Sequence, residues 1–515
     1  MRDTVDTTVK SPTGLDPFWQ YVIAVLPFAV VVNFPVEWRP NDINYYHLAL
    51  QLIEPDALHP DSAIFDASNA RIVGFSIIAG FIRLFGMHYA MLVVSLGLAL
   101  VVSSGLAMIA RVLEMRAWEL FAVVALFFAM DQQLFSHERL LHGAETKNLA
   151  YALILPAIAS AFQDRWKMAI GLASVATYCH FLVGGLWGGF LLILALIRSD
   201  LKLATKLAGL FAVVVLPIAS FILYERSLSE GPFLSDLGLT LSQVYALYRV
   251  PHHVAPFEPA QLQYWLQGIA VLLAAIPLCV LILRRRLVRR DLALWTTFLC
   301  VYLVLALFVA FFDRPDYRLG NFYLFRPNSL ILFFVLSLFI LAIRRIPIPG
   351  FRAVAIVVAA AFTLYTTAEF SVRAAERLMQ DRPWPGVEGL GDEDFNKVVR
   401  WFDENSSPDD VVIIQAADPL AWREDWVAFE WITNRPTLVH FKFVPVDKKD
   451  MARWYRIIDW SNKVFEGECD RIGEYKASFF VAANAASASK LSACLEPAVT
   501  YGDVTIFPAG PVKGN

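Results

Sequence analysis

A succession of apolar runs, near 17–36, 88–110, 117–131, 147–162, 168–183, 184–197, 204–224, 263–283, 292–312, 328–343 and 352–370, constrains this chain more than any motif in it. A bilayer core takes roughly 20 apolar residues per helix, and these runs reach or approach that length. With 57% hydrophobic and only 18% charged residues among 515, the chain reads as an α-helical polytopic membrane protein of about eleven transmembrane helices. The net charge of −3 says little, because orientation depends on how Lys and Arg divide between the two sides. Residues before Phe18 are not clearly basic and no small-residue cleavage site follows the first run, which therefore reads as a retained span.

One further run, Ile72 to Met87, is apolar but short and contains Arg83. The short connections Arg111 to Arg116, Gln163 to Lys167, Arg198 to Lys206, Arg284 to Arg290 and Arg344 to Arg352 are rich in Lys and Arg and are expected on the cytoplasmic side. A spanning Ile72–Met87 helix would break their parity with the first loop, whereas an interfacial helix keeps all of them, and the N-terminus, inside. The expected location is the cytoplasmic (inner) membrane, multi-pass, with loops 37–71, 131–147, 225–262 and 313–327 and everything after about 371 facing outward.

The expected organisation is a transmembrane domain over 1–370, a linker over 371–391 marked by Pro383, Pro385, Gly386, Gly389 and Gly391, and an extracytoplasmic domain over 392–515. In that last part the pattern predicts helix (Asp394 to Glu404), strand (Val411 to Gln415), helix (Ala421 to Trp431), strand (Pro436 to Phe441), helix (Lys448 to Val464), strand (Ser478 to Ala482) and a terminal pair around Val499 and Val504 to Phe507. Alternating strands and helices imply a small α/β domain, without a Gly-rich phosphate loop of either common pattern. Of five cysteines, Cys179, Cys279 and Cys300 fall in or near spans and read as small apolar residues. Cys469 and Cys494 lie in the domain placed outside, where an oxidising compartment allows a disulfide.

The candidate chemistry sits in the outward loops. Asp42, in Arg39-Pro40-Asn41-Asp42, is either the cap of the helix that follows or a general base held at headgroup depth. Asp66 is a further acid of the same loop. His137 to Lys147 brings Glu138, Arg139, His142, Glu145 and Lys147 together, and Glu138, His142 and Glu145 recur at helical spacing. The segment is either a solvated run of ion pairs or a site in which Lys147 holds a phosphate and Glu138 or Glu145 binds hydroxyls or a divalent cation. His180 falls at an apex between two closely spaced spans whose glycines permit close approach; it is either structural or functional. In the fourth loop Arg318 and Arg326 suit bidentate phosphate binding, or pair with Asp313 and Asp316. His252 and His253 lack matched ligands at a metal spacing and read as loop residues.

An acidic residue just past the first span, an interfacial helix after it, many spans and a C-terminal outer domain resemble the GT-C superfamily of membrane glycosyltransferases. The stretch from Arg435-Pro436 to Trp454-Tyr455-Arg456 also resembles the outer domain of a bacterial membrane family of this architecture. The resemblance implies transfer of a sugar from a polyprenyl-phosphate-linked donor to a glycan, lipid or protein acceptor, in cell-envelope polysaccharide synthesis, with Asp42 as the base and Glu138 or Glu145 as second acids. It implies membrane lipid as the environment and no nucleic acid as partner. The first loop lacks the adjacent acidic pair of some members. A non-catalytic scaffold for envelope glycan assembly has the same spans and remains the alternative class; a transporter of lipid-linked substrate would place ionisable groups at mid-span, whereas this chain places them mainly at span ends. Cysteines introduced between Gly386 and Gly391 should be labelled in intact cells while one near Arg286 is not; labelling at 386–391 only after lysis contradicts the topology.

Overall fold

In the computed structural model each apolar run is helical, because a backbone in hydrocarbon must satisfy its own hydrogen bonds. The structure describes residues 17–35, 37–62, 71–228, 234, 237–345, 349–378, 386–387, 393–415, 424–440, 443–445 and 448–510. The first part runs α1 (Pro17–Asn33), β1 (Glu37–Trp38), α2 (Pro40–Gln51), α3 (Ile72–Val112), α4 (Ala117–Ala129), α5 (Thr146–Phe162), α6 (Trp166–Cys179), α7 (Phe181–Arg198) and α8 (Leu201–Leu228). The short α9 (Leu241–Gln243) and α10 (Pro251–Val254) precede α11 (Pro259–Arg284), α12 (Arg290–Phe312), α13 (Asn328–Ile343) and α14 (Pro349–Leu378). Five of these helices, α3, α7, α8 over Leu201–Tyr224, α11 and α12, are long and apolar enough to cross a membrane; α1, α4, α5, α13 and the 356–369 part of α14 are apolar but shorter.

The Ile72–Met87 run and the span after it meet within α3 at Gly86, whose φ of 73° and ψ of 166° no helix accommodates. Glycine permits that backbone at no Cβ cost, so a separate helix meets the span at a corner. One end of the bundle gathers the basic connections, where Arg198 pairs with Asp164 at 2.9 Å, Arg289 with Asp291 at 2.9 Å and Arg344 with the buried Glu119 at 3.4 Å. The other end gathers α2 and the loops at 131–145, 237–258 and 313–327. Alternate connections thus segregate to opposite ends, as an up-and-down bundle requires.

The C-terminal domain is a small α/β unit. α15 (Glu393–Asn405), β3 (Val412–Ile414), α16 (Phe429–Thr433), α17 (Lys448–Phe465), β4 (Phe479–Ala482), α18 (Ala485–Leu491), β5 (Val499–Tyr501) and β6 (Val504–Pro508) build a sheet of order β3-β4-β6-β5, parallel between β3 and β4 and antiparallel elsewhere. Strand side chains alternate between faces. Ile413, Phe480 and Phe507 pack with Trp454, Ile457 and Ile458 of α17, while Val412, Ile414, Val481 and Ile506 pack with Phe395, Val398 and Phe402 of α15. Cys469 and Cys494 are joined by a disulfide beneath the α17 face.

Three expectations for this region change. The strand at Pro436 to Phe441 is a single bridge from Thr437 to Val412, because Pro436 cannot donate to a ladder and 441 lies outside the described residues. Of the helix expected at Ala421 to Trp431, residues 421–423 lie outside the described residues and the rest is a 3-10 turn over Glu424–Ala428 followed by α16, ended by Asn434 in the left-handed region at φ 52°. Of the 371–391 segment, residues 371–378 continue α14 and Gly386–Val387 form β2, parallel to β1; Pro383, Pro385, Gly389 and Gly391 lie outside the described residues.

Trp431 is a central contact between the domain and the bundle. The Trp431 ring of α16 lies 4.9 Å from that of Trp38 and 5.8 Å from those of His47 and His88, so it fills the corner between β1, α2 and α3. Val427, Ala428 and Phe443 join the same continuous core as the membrane helices. Trp431→Ala should cost about 2 kcal/mol of local stability, since large-to-small changes and lost aromatic pairs each contribute on that scale. The expected readout is faster hydrogen exchange of the α2 amides with the exchange of α17 unaltered; unchanged α2 protection contradicts this role of Trp431.

Candidate active site

α2 begins at Pro40, which suits a first helical position, and Asp42 follows in its first turn where the helix dipole favours a carboxylate. Asp42 is not the capping residue, which is Arg39, but it accepts a hydrogen bond from the Arg39 backbone in the reach-back manner of a third-position acid. A cap needs no more than that. Asp42 Oδ1 also accepts from the backbone N–H of Ala144 at 3.0 Å, which brings the second loop onto it. Gly143 beside it has φ of +82°, and a Cβ there would lie 2.2 Å from Asp42 Oδ1, so only glycine allows this approach. Asn33, at the end of α1, accepts from Gly143 N at 2.8 Å and anchors itself by donating to Ser95 O at 2.7 Å.

Asp42 is 2% exposed. Burial pushes its carboxyl up to about 6, against the downward pull of the Arg39 guanidinium and the Ala144 N–H, and nearby Glu145 raises it further. His47, one turn on in the same helix, is pushed down to about 4 by burial and stays neutral.

The second loop does not form the helix that the spacing of Glu138, His142 and Glu145 suggests. Asp131, Gln132, Ser136 and His137 all have positive φ, as has Gly143, so the loop is a chain of left-handed turns. Such residues are uncommon outside glycine and cost about 1–3 kcal/mol each, which tertiary contacts must offset. Here the Gln132 side chain donates to Leu141 O at 2.9 Å and accepts from Leu141 N at 2.8 Å. Asn328, at the start of α13, accepts from Leu134 N at 2.9 Å and donates to Ser136 Oγ at 2.9 Å.

This scaffold assembles a buried charge cluster. Lys147, in the first turn of α5, lies 3.1 Å from Glu145 Oε2 and 3.7 Å from Glu138 Oε2. Glu145 Oε1 accepts from Asn41 of α2 at 2.7 Å, which links the cluster to the turn that carries Asp42. Arg326 Nη2 lies 3.2 Å from Glu138 Oε1, its guanidinium covers the Tyr323 ring at 4.4 Å, and its Nη1 lies 3.3 Å from His180 Nε2. His180 starts α7 and accepts from Val183 N at 3.4 Å. The α6–α7 approach that sets it there rests on Gly184, whose Cβ would lie 2.2 Å from Thr177 N. His253 Nδ1 faces Glu138 Oε1 at 3.6 Å and the Ser136 carbonyl; burial, then the charges of His252, Lys147 and Arg326, hold its ring well below the ordinary histidine range, so it is neutral.

Of the residues singled out by sequence, Asp42, Glu138, Glu145, Lys147, His180 and Arg326 therefore converge. Arg139 stands at the rim, paired with Asp131 at 2.7 Å and 3.2 Å from His142 Nδ1. Arg318 does not join them: its side chain is 78% exposed and pairs with Asp316 at 3.3 Å. Asp66 lies outside the described residues. Among the described residues no group of three or more His, Cys, Asp and Glu stands at metal-binding distance, and the Lys147 ammonium occupies the space between Glu138 and Glu145 that a cation would share. Sequence reasoning misses Asn33, Asn41, Asn328 and His253. The three asparagines flank apolar runs, where they look like ordinary boundary residues; the only signal for His253 is its place in a loop on the acidic side.

Asp42 should lower stability at neutral pH. Its folded carboxyl titrates near 6 against 3.8 unfolded, so the native state holds the proton more tightly and stability falls as pH rises from about 4 to about 6. Asp42→Asn keeps the acceptor for Ala144 N–H and removes the buried charge. Thermal unfolding should give the variant the higher Tm at pH 7.5, with the gap closing by about pH 4; a lower Tm at pH 7.5 contradicts the raised carboxyl.

Comparison with known proteins divides the chain. A domain family of unknown function, DUF6798, matches residues 393–460, from α15 into α17 and including Trp431. No curated protein matches the chain in sequence. The crystal structure of ArnT from Cupriavidus metallidurans in the apo state aligns over 95% of this chain and 98% of that one, at 12% sequence identity and a TM-score of 0.42.

Proposed function

We propose that the protein is a membrane glycosyltransferase of the GT-C type, moving a sugar from a polyprenyl-phosphate-type lipid donor to an acceptor on the outer face of the cytoplasmic membrane. The observation that carries this reading is the constellation in which a buried carboxylate titrating near 6 is joined, through the neighbouring Asn41 and Glu145, to the buried Lys147 and, through Glu138, to Arg326, at the end of a membrane bundle opposite its basic connections. A lipid-linked sugar phosphate presents both halves of its chemistry at that depth: a phosphate that leaves with negative charge, and a sugar carbon open to an acceptor.

Asp42 takes the proton from the acceptor hydroxyl as its oxygen bonds to the anomeric carbon, and the lipid phosphate departs from the opposite face with the bonding electrons, inverting the centre. Lys147 and Arg326 hold that phosphate and stabilise the charge it gains. Glu145, tied to Asn41, aligns the cluster with α2, and Glu138 is the second acid, available to sugar hydroxyls. Arg318, exposed at the rim, meets the phosphate on approach. A scaffold role would need none of these buried charges, whose desolvation costs stability.

In a lipid-linked sugar transfer assay in nanodiscs, Asp42→Asn should lower turnover by about 10²-fold or more with donor binding little changed, as removal of a general base does. Wild-type kcat/KM should rise with pH through about 6. Arg326→Gln should weaken donor binding first. Wild-type turnover by Asp42→Asn contradicts the catalytic assignment.

A further inference from the structure

Glu138 is 2% exposed, yet among the described residues neither of its carboxylate oxygens has a hydrogen-bond partner. Two cations face it instead, Arg326 at 3.2 Å and Lys147 at 3.7 Å, with the neutral His253 ring at 3.6 Å. Arg71, which donates to Tyr45 Oη at 2.9 Å, acts on Arg326 electrostatically. The buried Nε of Arg326 has no hydrogen-bond partner among the described residues either. A buried carboxylate normally collects two or three hydrogen bonds, because ion pairing alone leaves its lone pairs desolvated. Glu145 accepts such a bond from Asn41, and Glu138 accepts none among the described residues.

A cage of cations holding an anion by charge alone is suited to exchanging that anion. We propose that Glu138 is an internal stand-in for the phosphate of the substrate, occupying the Lys147–Arg326 cage until a phosphate monoester or diester displaces it. The inference rests on the reading of Lys147 and Arg326 as a phosphate site and adds how that site is kept closed and charge-balanced when empty. Without Glu138, Lys147 and Arg326 would be buried cations with only Glu145 between them, a costly arrangement. With it, an arriving phosphate must move one carboxylate, and the less anchored of the two is Glu138. Once out, Glu138 carries an acceptor group to the edge of the cage, where the sugar attached to that phosphate begins. The exchange makes no covalent bond; one anion replaces another.

The test reads binding without turnover, on full-length protein in nanodiscs, with geranyl phosphate and inorganic phosphate as separate probes. Glu138→Gln keeps the shape and removes the competing charge, so it should bind geranyl phosphate about tenfold or more tightly than wild type. A like charge a few ångström from an incoming anion has an effect of at least this size. Adding Arg326→Gln should abolish the gain. Tightening for geranyl phosphate alone identifies a lipid-linked source; tightening for both probes shows that the phosphate group suffices. Should Glu138→Gln give no cooperative melting transition, Glu138→Asp serves instead, since its shorter arm withdraws the charge from Arg326 and should also tighten binding. Unchanged or weaker binding by the folded variant, or a gain that survives Arg326→Gln, overturns the proposal. Because no sugar transfer is measured, that result leaves the assignment of Asp42 untouched, and an inactive Asp42→Asn leaves this one untouched.

Discussion

Lys147 carries a positive charge into the first turn of α5, where the helix dipole opposes a cation and water is nearly absent. Glu145 and Glu138 make the position tenable, and each recruits another part of the molecule: Glu145 reaches α2 through Asn41, and Glu138 reaches the fourth loop through Arg326. One buried cation thus ties together segments more than a hundred residues apart. A bundle could be closed with apolar contacts at lower cost, since buried ion pairs often contribute nothing net to stability. Charges retained at that expense point to chemistry at this end of the bundle.

The backbone of the second loop bears the same mark. Of the ten non-glycine residues with positive φ among the described residues, Asp131, Gln132, Ser136 and His137 belong to this loop and Tyr317 and Tyr323 to the fourth loop facing it. Asn328 and Gln132 hold the turns by side-chain hydrogen bonds to the backbone, so the strain stays local and the carboxylates are aimed inward. The C-terminal domain adds a brace at a distance. Through Trp431 it fixes the corner from which α2 departs, and so influences where Asp42 stands without touching it.

Much of the fold is legible in the sequence because hydrocarbon imposes a simple rule on length and composition. The apolar runs are the helices, and the short run that contains Arg83 is the separate first part of α3. The α/β order survives for α15, β3, α17, β4 and the final pair, where period-2 and period-3.6 patterns are clean. It fails where local signals conflict: Pro436 sits in a strand-like run, and Glu138, His142 and Glu145 carry helical spacing in a segment whose turns are set from elsewhere. Arg318 and Arg326 differ little as sequence, yet one is solvated beside Asp316 and the other buried against Glu138. That difference lies in the packing of the fourth loop on Tyr151, which donates to Arg326 O at 2.9 Å, and no local pattern encodes it.

The central claim is that Lys147 and Arg326 form a phosphate cage facing Asp42. A density map of the full-length protein with a bound isoprenyl phosphate tests it most directly. The account predicts phosphate oxygens within about 3.2 Å of Lys147 Nζ and of the Arg326 guanidinium, the distance of charge-assisted hydrogen bonds, with the Asp42 carboxylate on the open side of the bound group. Phosphate density at the basic end of the bundle near Arg198 and Arg289, or confined to the exposed Arg318, with the Lys147–Glu138–Arg326 contacts intact, would contradict it.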